Sequence, residues 1–319
     1  MADPLPREFA EALERSRDRF GRLGSRVVFF STVGSTNDLA STIAASGEGE
    51  GAVVVADEQT AGRGRRGRTW HSPPGSGLYV SVVLTPARAR VDCGRATMLV
   101  PLAAGVALAE AVDAMTALPV VLKWPNDLQV ARRKLAGILA EAVAPAARAS
   151  SESAPAARVG VVPHANEMTS SAVRASGSLE PMALGVEPQR SEEAGAPRAL
   201  NVVLGYGINV GGLAFPRELG DRATSLESEL GRPVDRAQLW IETLAALSRR
   251  YEDLLDGRFD AILDAWRDRA PASRGARVTW NTPEGPGCGV TDGIDDGGAL
   301  LVRVGDRTER IVAGEVAWL

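Results

Sequence analysis

Histidine and cysteine are nearly missing from this chain, with two of each in 319 residues. Cys93 and Cys288 give neither a zinc spacing nor a disulfide framework, which points to a reducing cytoplasm. With only His71 and His164, a histidine metal site or a Ser-His-Asp triad is disfavoured. No apolar run approaches the roughly 18–20 residues expected of a membrane span. The opening segment, MADPLPREFAEALERSRDRF, is charged and amphipathic and has no apolar secretory stretch, so no signal peptide is expected. No GxxxxGK[ST] phosphate loop occurs anywhere. Net charge is −4, so the chain as a whole has no general attraction for nucleic acid.

What remains is an ordinary globular composition, 45% hydrophobic and 24% charged, and a length that allows one large domain plus a small one. The charge is unevenly placed. Arg63, Arg65, Arg66 and Arg68 crowd into one short stretch of a slightly acidic chain, which locally makes a site for anions.

Phe9, Leu13 and Phe20 recur at helical spacing, predicting a surface helix over 6–22. RVVFF (26–30), GAVVVADEQ (51–59), LYVSVVL (78–84) and NVVLGYGINV (201–210) read as strands. Ser35 or Thr36 can cap a helix formed by NDLASTIAAS. A long apolar helix is expected over about 93–116, two paired strands between Val120 and Val143, and helices over 235–268. From Arg274 the texture becomes short alternating strands split by Gly, Asp and Pro turns, the size of a small SH3-like barrel. Residues 144–198 have no Phe, Trp or Tyr and no sustained period, so a disordered insertion is expected there, with VGVV (159–162) pairing at most transiently. The domain reading is therefore 1–270 for the large domain and 274–319 for the barrel.

Four segments carry chemistry. In AGRGRRGRTW (61–70), Gly62, Gly64 and Gly67 let backbone N–H groups approach a ligand, while the arginines between them offer forks for phosphate oxygens. The same composition suits an RNA-binding tail or a solvated loop. Its place between two buried strands makes it a tethered loop instead. LKWPND (122–127) can be a simple hairpin corner, and Lys134 at the start of the buried run LAGILAE must either extend to solvent or meet an anion. Ser35, Thr36 and Asn37 are either helix caps or donors to a ligand carbonyl. In LGYGIN (204–209), the glycines permit close approach of a flat ligand and Asn209 offers an amide, although a bulged strand edge would read the same way.

Together STN (35–37), EQTAGRGRRGRTW (58–70), KWPND (123–127), KLAGILAE (134–141) and GYGINV (205–210) strongly resemble the biotin–protein ligases, and GCGVTDGIDDGGALLV (287–302) resembles their closing barrel. The resemblance spans nearly everything except 1–25 and the insertion. It implies an α/β (α+β) fold, a mixed sheet of the class II aminoacyl-tRNA synthetase type followed by an SH3-like β-barrel. It also implies ATP and Mg²⁺ as cofactors, biotin as substrate, and the biotin carboxyl carrier domain of a carboxylase as partner. Carried over by position, Ser35, Thr36, Asn37 and Gln59 would line the biotin ureido end. Gly62, Arg63, Gly64, Arg65, Lys134 and Gly137 would lie along biotin and its carboxylate. Arg63, Arg65, Arg66, Trp70, Asn126, Asp127, Lys134 and Asn209 would face ATP. Lys134 and Arg65 would be catalytic, and Asp127 would meet the metal. A homodimer is compatible with this reading.

Three rivals are weighed against it. The repressor role of some family members is set aside, because only about 25 residues precede the core, too few for a helix-turn-helix unit. A lipoate ligase shares the fold and chemistry, but the unbroken GRGRRG favours biotin. An RNA-binding protein using the RGR loop is opposed by the acidic total charge and the lack of interleaved aromatics.

Overall fold

In a computed structural model of the chain, the described residues are 2–46, 49–144, 200–212, 215–216, 218–282, 285–314 and 316–319. The insertion expected over 144–198, with its VGVV stretch, lies outside them apart from Ala144. Residues 1–146 and 197–319 form one compact unit.

The first helix, α1 (Arg7–Arg15), is followed by a short 3-10 turn, and Phe9 and Leu13 face inward. Then come β1 (Arg26–Val33), α2 (Thr36–Ala45), β2 (Ala52–Gln59), β3 (Gly77–Leu84) and the 24-residue α3 (Cys93–Thr116). The segment expected as two strands is three: β4 (Val121–Lys123), β5 (Asp127–Val130) and β6 (Arg133–Val143). The extra strand arises because Pro-Asn in KWPND turns the chain a few residues early. A second turn at Ala131 and Arg132, both at positive φ, closes the β5–β6 hairpin. β7 (Asn201–Asn209), α4 (Leu226–Leu230), α5 (Arg236–Leu255) and α6 (Phe259–Arg269) complete the large part.

These strands form one mixed sheet ordered β1-β2-β3-β7-β6-β5-β4, parallel only between β1 and β2. Strand alternation sorts its side chains onto two faces. Val53, Val55, Val80, Val82, Leu204, Tyr206 and Ile208 join the main core with α3, α5 and α6. Ala52, Val54, Val83 and Val203 instead pack with Ala40 and Ala44 of α2 on the opposite face. One face is thus fully covered. Among the described helices, α2 packs on the other face over β2, β3 and β7, and the site lies beside it over β7, β6 and β5.

Contrary to the sequence expectation, α3 is long and apolar enough to span a membrane by length and composition. Two-thirds of its apolar stretch (67%) is buried inside the protein, and the helix packs against α5 and the sheet. It is a core helix.

The chain ends in β8 (Arg274–Thr282), β9 (Gly285–Ile294), β10 (Leu300–Val304), β11 (Arg307–Ile311) and β12 (Val316–Trp318). They make a five-stranded antiparallel sheet ordered β11-β10-β9-β8-β12, in keeping with the expected small barrel. Its β9–β10 turn docks on the larger part. The Trp124 indole donates to the Gly298 carbonyl at 3.0 Å, and Arg95 donates to Asp296 O at 2.8 Å. Asp295 shapes that turn by accepting from the Gly297 and Ala299 N–H groups, both at 2.9 Å, and from Arg310.

Burial opposes ionisation of Asp295, but Arg310 and those N–H groups prevail and hold its carboxyl below the usual value. A depressed carboxyl pKa stabilises the fold above the unfolded value near 4, and the benefit is lost as pH falls through the folded value. Asp295→Asn should therefore melt below wild type at pH 7, and the gap should narrow steadily once the pH drops under about 4. Trp124→Phe, which removes the donor and shrinks the buried bicyclic ring to a phenyl, should cost at least about 1–2 kcal/mol in a denaturant titration.

Candidate active site

The site is built on two cross-strand rows on the α2 face of the sheet. In one row Tyr79, Gly207, Gly137 and Asp127 stand side by side across β3, β7, β6 and β5. In the next, Ser81 faces Gly205, and Gly205 faces Leu139. The paired glycines make a shallow trough in the sheet surface, and the Trp70 indole lies in it. A Cβ on Gly207 would fall 2.3 Å from Trp70 Nε1, and one on Gly137 would fall 3.0 Å from its ring. Trp70 Nε1 is buried and has no hydrogen-bond partner among the described residues.

Lys134 reaches this trough because of a β-bulge. Leu128 pairs with Ala136 but Gln129 pairs with Lys134, leaving Leu135 as an extra residue in β6. Strict alternation would turn Lys134 to the core face with Ala136 and Ile138. With the bulge, Leu135 and Ala136 are both fully buried, and the Lys134 amine lies beside Gly137, 5.4 Å over the Trp70 ring. Its Nζ sits 2.6 Å from Asp127 Oδ1. Of the two fates open to this lysine, meeting an anion is the one realised. Its backbone is pinned as well: Lys134 N–H donates to Arg222 O at 2.8 Å, and Thr224 N–H donates to Lys134 O at 2.9 Å.

The glycine-arginine loop is an ordered small hairpin. Gly64 N–H donates to Arg68 O at 2.7 Å, Trp70 N–H donates to Gly62 O at 2.8 Å, and Arg65–Gly67 form a 3-10 turn with Arg66 at φ 56°. Gly62 is required by contact, since a Cβ there would meet the Trp70 carbonyl at 2.5 Å. Arg65 Nη1 lies 3.4 Å from Asn126 Oδ1, while Asn126 Nδ2 donates to Ile138 O at 2.6 Å. Lys134, Arg65, Trp70, Asn126 and Asp127 therefore converge. Arg66 is exposed.

Next to them is a buried polar cluster. Ser35, Thr36 and Asn37 are each under 5% exposed. Ser35 occupies the α2 N-cap without a side-chain cap bond. Gln59 takes over that work: its Oε1 accepts from the Thr36 N–H at 2.9 Å and the Thr36 hydroxyl at 3.1 Å. Its Nε2 donates to Ser72 Oγ at 3.0 Å. The expectation that Ser35 or Thr36 caps the helix is thus corrected, because a strand residue supplies the acceptor. The Ser81 hydroxyl lies 2.8 Å from Thr36 Oγ1 and 2.6 Å from Asn37 Oδ1.

Asn209 stands at the end of β7 as expected, but its Nδ2 donates inward, to Thr224 O at 3.0 Å and Lys134 O at 3.5 Å. It ties the 222–224 strap to β6 and β7. Sequence reasoning missed Glu141, Asp38, Ser72 and Ser81. Glu141 closes the KLAGILAE motif and Asp38 directly follows Asn37 on α2, so both stand beside residues the sequence singles out; Ser72 and Ser81 show no local signal, because strand pairing brings them in.

The biotin/lipoate A/B protein ligase family model matches residues 29–150. A bifunctional ligase/repressor BirA of Bacillus spizizenii is 29% identical over 310 residues, 95% of this chain and 78% of its own. A biotin–[acetyl-CoA-carboxylase] ligase of Mycobacterium tuberculosis is 30% identical over 291 residues, covering 90% of this chain and 86% of its own. In fold, the biotin protein ligase of Aquifex aeolicus, solved with biotin and ATP, superposes with a TM-score of 0.64 at 24% identity over 92% of this chain and 99% of that one. By identity and extent of match, joined to the five motifs gathered on one sheet face, the chain belongs to the biotin–protein ligase family.

Proposed function

We propose that the protein activates biotin with ATP to biotinyl-5′-AMP and then transfers the biotinyl group to a lysine of a biotin carboxyl carrier domain. The observation that carries this is the gathering of Lys134, Arg65, Trp70 and Asn126 around a glycine trough beside the Ser35–Asn37 cluster. Relatives named as biotin ligases support biotin over lipoate.

The chemistry fits those side chains. When the biotin carboxylate oxygen attacks the α-phosphorus, pyrophosphate leaves and two negative reactants are brought together. Fixed positive charge lowers that barrier most when it is in place beforehand. Lys134 is so placed: its backbone is tied on both sides and its stem packs beside Gly137. Arg63 and Arg65 would hold phosphate oxygens, and Ser35, Thr36, Asn37 and Gln59 would hold the ureido end. Trp70 would wall the trough between the two substrates and keep water from the mixed anhydride. In the second step the acceptor amine attacks the acyl carbon and AMP leaves; no protein nucleophile is required.

Among the described residues no group of three His, Cys, Asp or Glu could hold a metal. One carboxylate beside phosphates is what magnesium usually takes, and Asp127 would supply it. The ion would contribute charge neutralisation. The reducing cytoplasm suits the two free cysteines, Cys93 and Cys288.

The test is mass spectrometry of the protein incubated with ATP, Mg²⁺ and biotin, with lipoate in parallel. Retained biotinyl-AMP supports the proposal, and an adenylate formed only with lipoate rejects it. A further expectation concerns the insertion. Val143 pairs with Asn201 at the end of the β6–β7 ladder, so the ladder can be closed by a short connection. Deleting 146–196 should leave ligation within about twofold of wild type. A large loss would show instead that this segment folds or recruits the acceptor.

A further inference from the structure

Glu141 of β6 holds two parts of the site at once. Its Oε2 accepts from Asn37 Nδ2 at 2.6 Å and from Arg63 Nη2 at 2.9 Å. The same Arg63 nitrogen lies 2.8 Å from Asp38 Oδ1, one residue beyond Asn37 on α2. Arg63 therefore has two carboxylates for counterions at one nitrogen, and their negative charge opposes an incoming phosphate. Asn37 has its amide orientation fixed by the same carboxylate. An anion can only accept, so Nδ2 turns towards Glu141 and Oδ1 towards Ser81. The fit is close, because Oδ1 would lie 2.0 Å from a Cβ on Gly205.

We propose that Glu141 is a positioning residue that couples the vitamin end of the site to its phosphate loop. Its carboxylate orients the Asn37 amide for the ureido group, and it competes with nucleotide phosphates for Arg63. The inference rests on the ligase reading above. It leads to opposite effects on the two substrates. With glutamine at 141, a neutral amide facing another amide no longer dictates which way Asn37 turns, and biotin recognition weakens. Arg63 loses one of its two counterions in the same change, and nucleotide binding strengthens. Asp38 shares only the second role.

The experiment is steady-state pyrophosphate release by the full chain, wild type against Glu141→Gln and Asp38→Asn, varying biotin and ATP in turn. For Glu141→Gln the KM for biotin should rise roughly tenfold, the weight of one charge-assisted hydrogen bond, while the KM for ATP falls about two- to threefold. For Asp38→Asn the KM for ATP should fall and the KM for biotin should stay within about twofold. A role confined to holding the fold would move both constants upward together. That result, an unmoved biotin KM in Glu141→Gln, or a biotin defect in Asp38→Asn would overturn the proposal. Should Glu141→Gln fail to fold, the Asp38→Asn pair of constants still decides its half. A wild type that forms no biotinyl-AMP sinks the ligase reading itself; an active wild type with unresponsive variants sinks only the role of Glu141.

Discussion

Replacing Lys134 with alanine should cut biotinyl-adenylate formation by roughly 10²–10³ and leave the fold in place, as removal of one fixed charge donor does elsewhere. The backbone at 134 is held by Arg222 O and by the Thr224 N–H, and neither bond involves the side chain. What disappears is the amine over Trp70 and the counterion of Asp127. Lys134 is about one-third exposed (34%) and Asp127 about one-fifth (21%), so water can solvate the carboxylate left behind and the stability cost should be under about 1 kcal/mol. Pyrophosphate release at saturating biotin and ATP reads the catalytic loss, and a thermal melt reads the fold. Near-normal release would mean that another cation meets the α-phosphate. Lys134→Arg should not rescue, because a planar fork cannot occupy the place of a compact ammonium wedged between Gly137 and Asp127.

Gly207→Ala should damage the site severely. The added carbon would lie 2.3 Å from Trp70 Nε1 and 2.6 Å from the adjoining ring carbon, so the indole must leave the trough. Overfilling of this kind costs about 1–3 kcal/mol. The larger effect should be on activity, since a displaced Trp70 also moves the Lys134 amine that lies over it; an error near 1 Å in placement can cost about 10²-fold. Ligation should therefore fall far more than stability, in an assay that pairs a denaturant melt with transfer to a carrier domain. Gly137→Ala makes a useful contrast. Its methyl would meet the ring at 3.0 Å and the flexible end of Lys134 at 3.2–3.3 Å, which a small shift can relieve. The loss should be distinctly milder. Equal losses in the two variants would mean that the indole is not held by the trough.

Much of the site was legible beforehand because its motifs are local. The glycine-arginine loop, KWPND and the start of KLAGILAE each need particular residues at fixed spacing, and Lys134, Arg65, Asn126, Asp127 and Trp70 are gathered as the sequence suggested. The strands and the long helix over 93–116 were equally plain from periodicity. Three features were not. The β4 strand hides in a three-residue run too short for any period to register. Helix capping by Gln59 needs β2 to end beside Ser35, a matter of β1–β2 pairing. Asn209 looked free to face a ligand, yet its Nδ2 binds the strap that crosses Lys134.

The sequence alone determined the local motifs, the order of most elements and the family it resembles, since these depend on residue type and spacing along one chain. Tertiary structure decided which way those residues face. The bulge at Leu135 turns Lys134 out of the core and onto the glycine trough, and strand register sets Gly137 against Gly207 to make that trough. Glu141 acquires Asn37 and Arg63 only because β6, α2 and the loop meet on one sheet face. A strand's side chains alternate with period two, so a single extra residue reverses every assignment beyond it. Where that residue is inserted depends on the neighbouring strand.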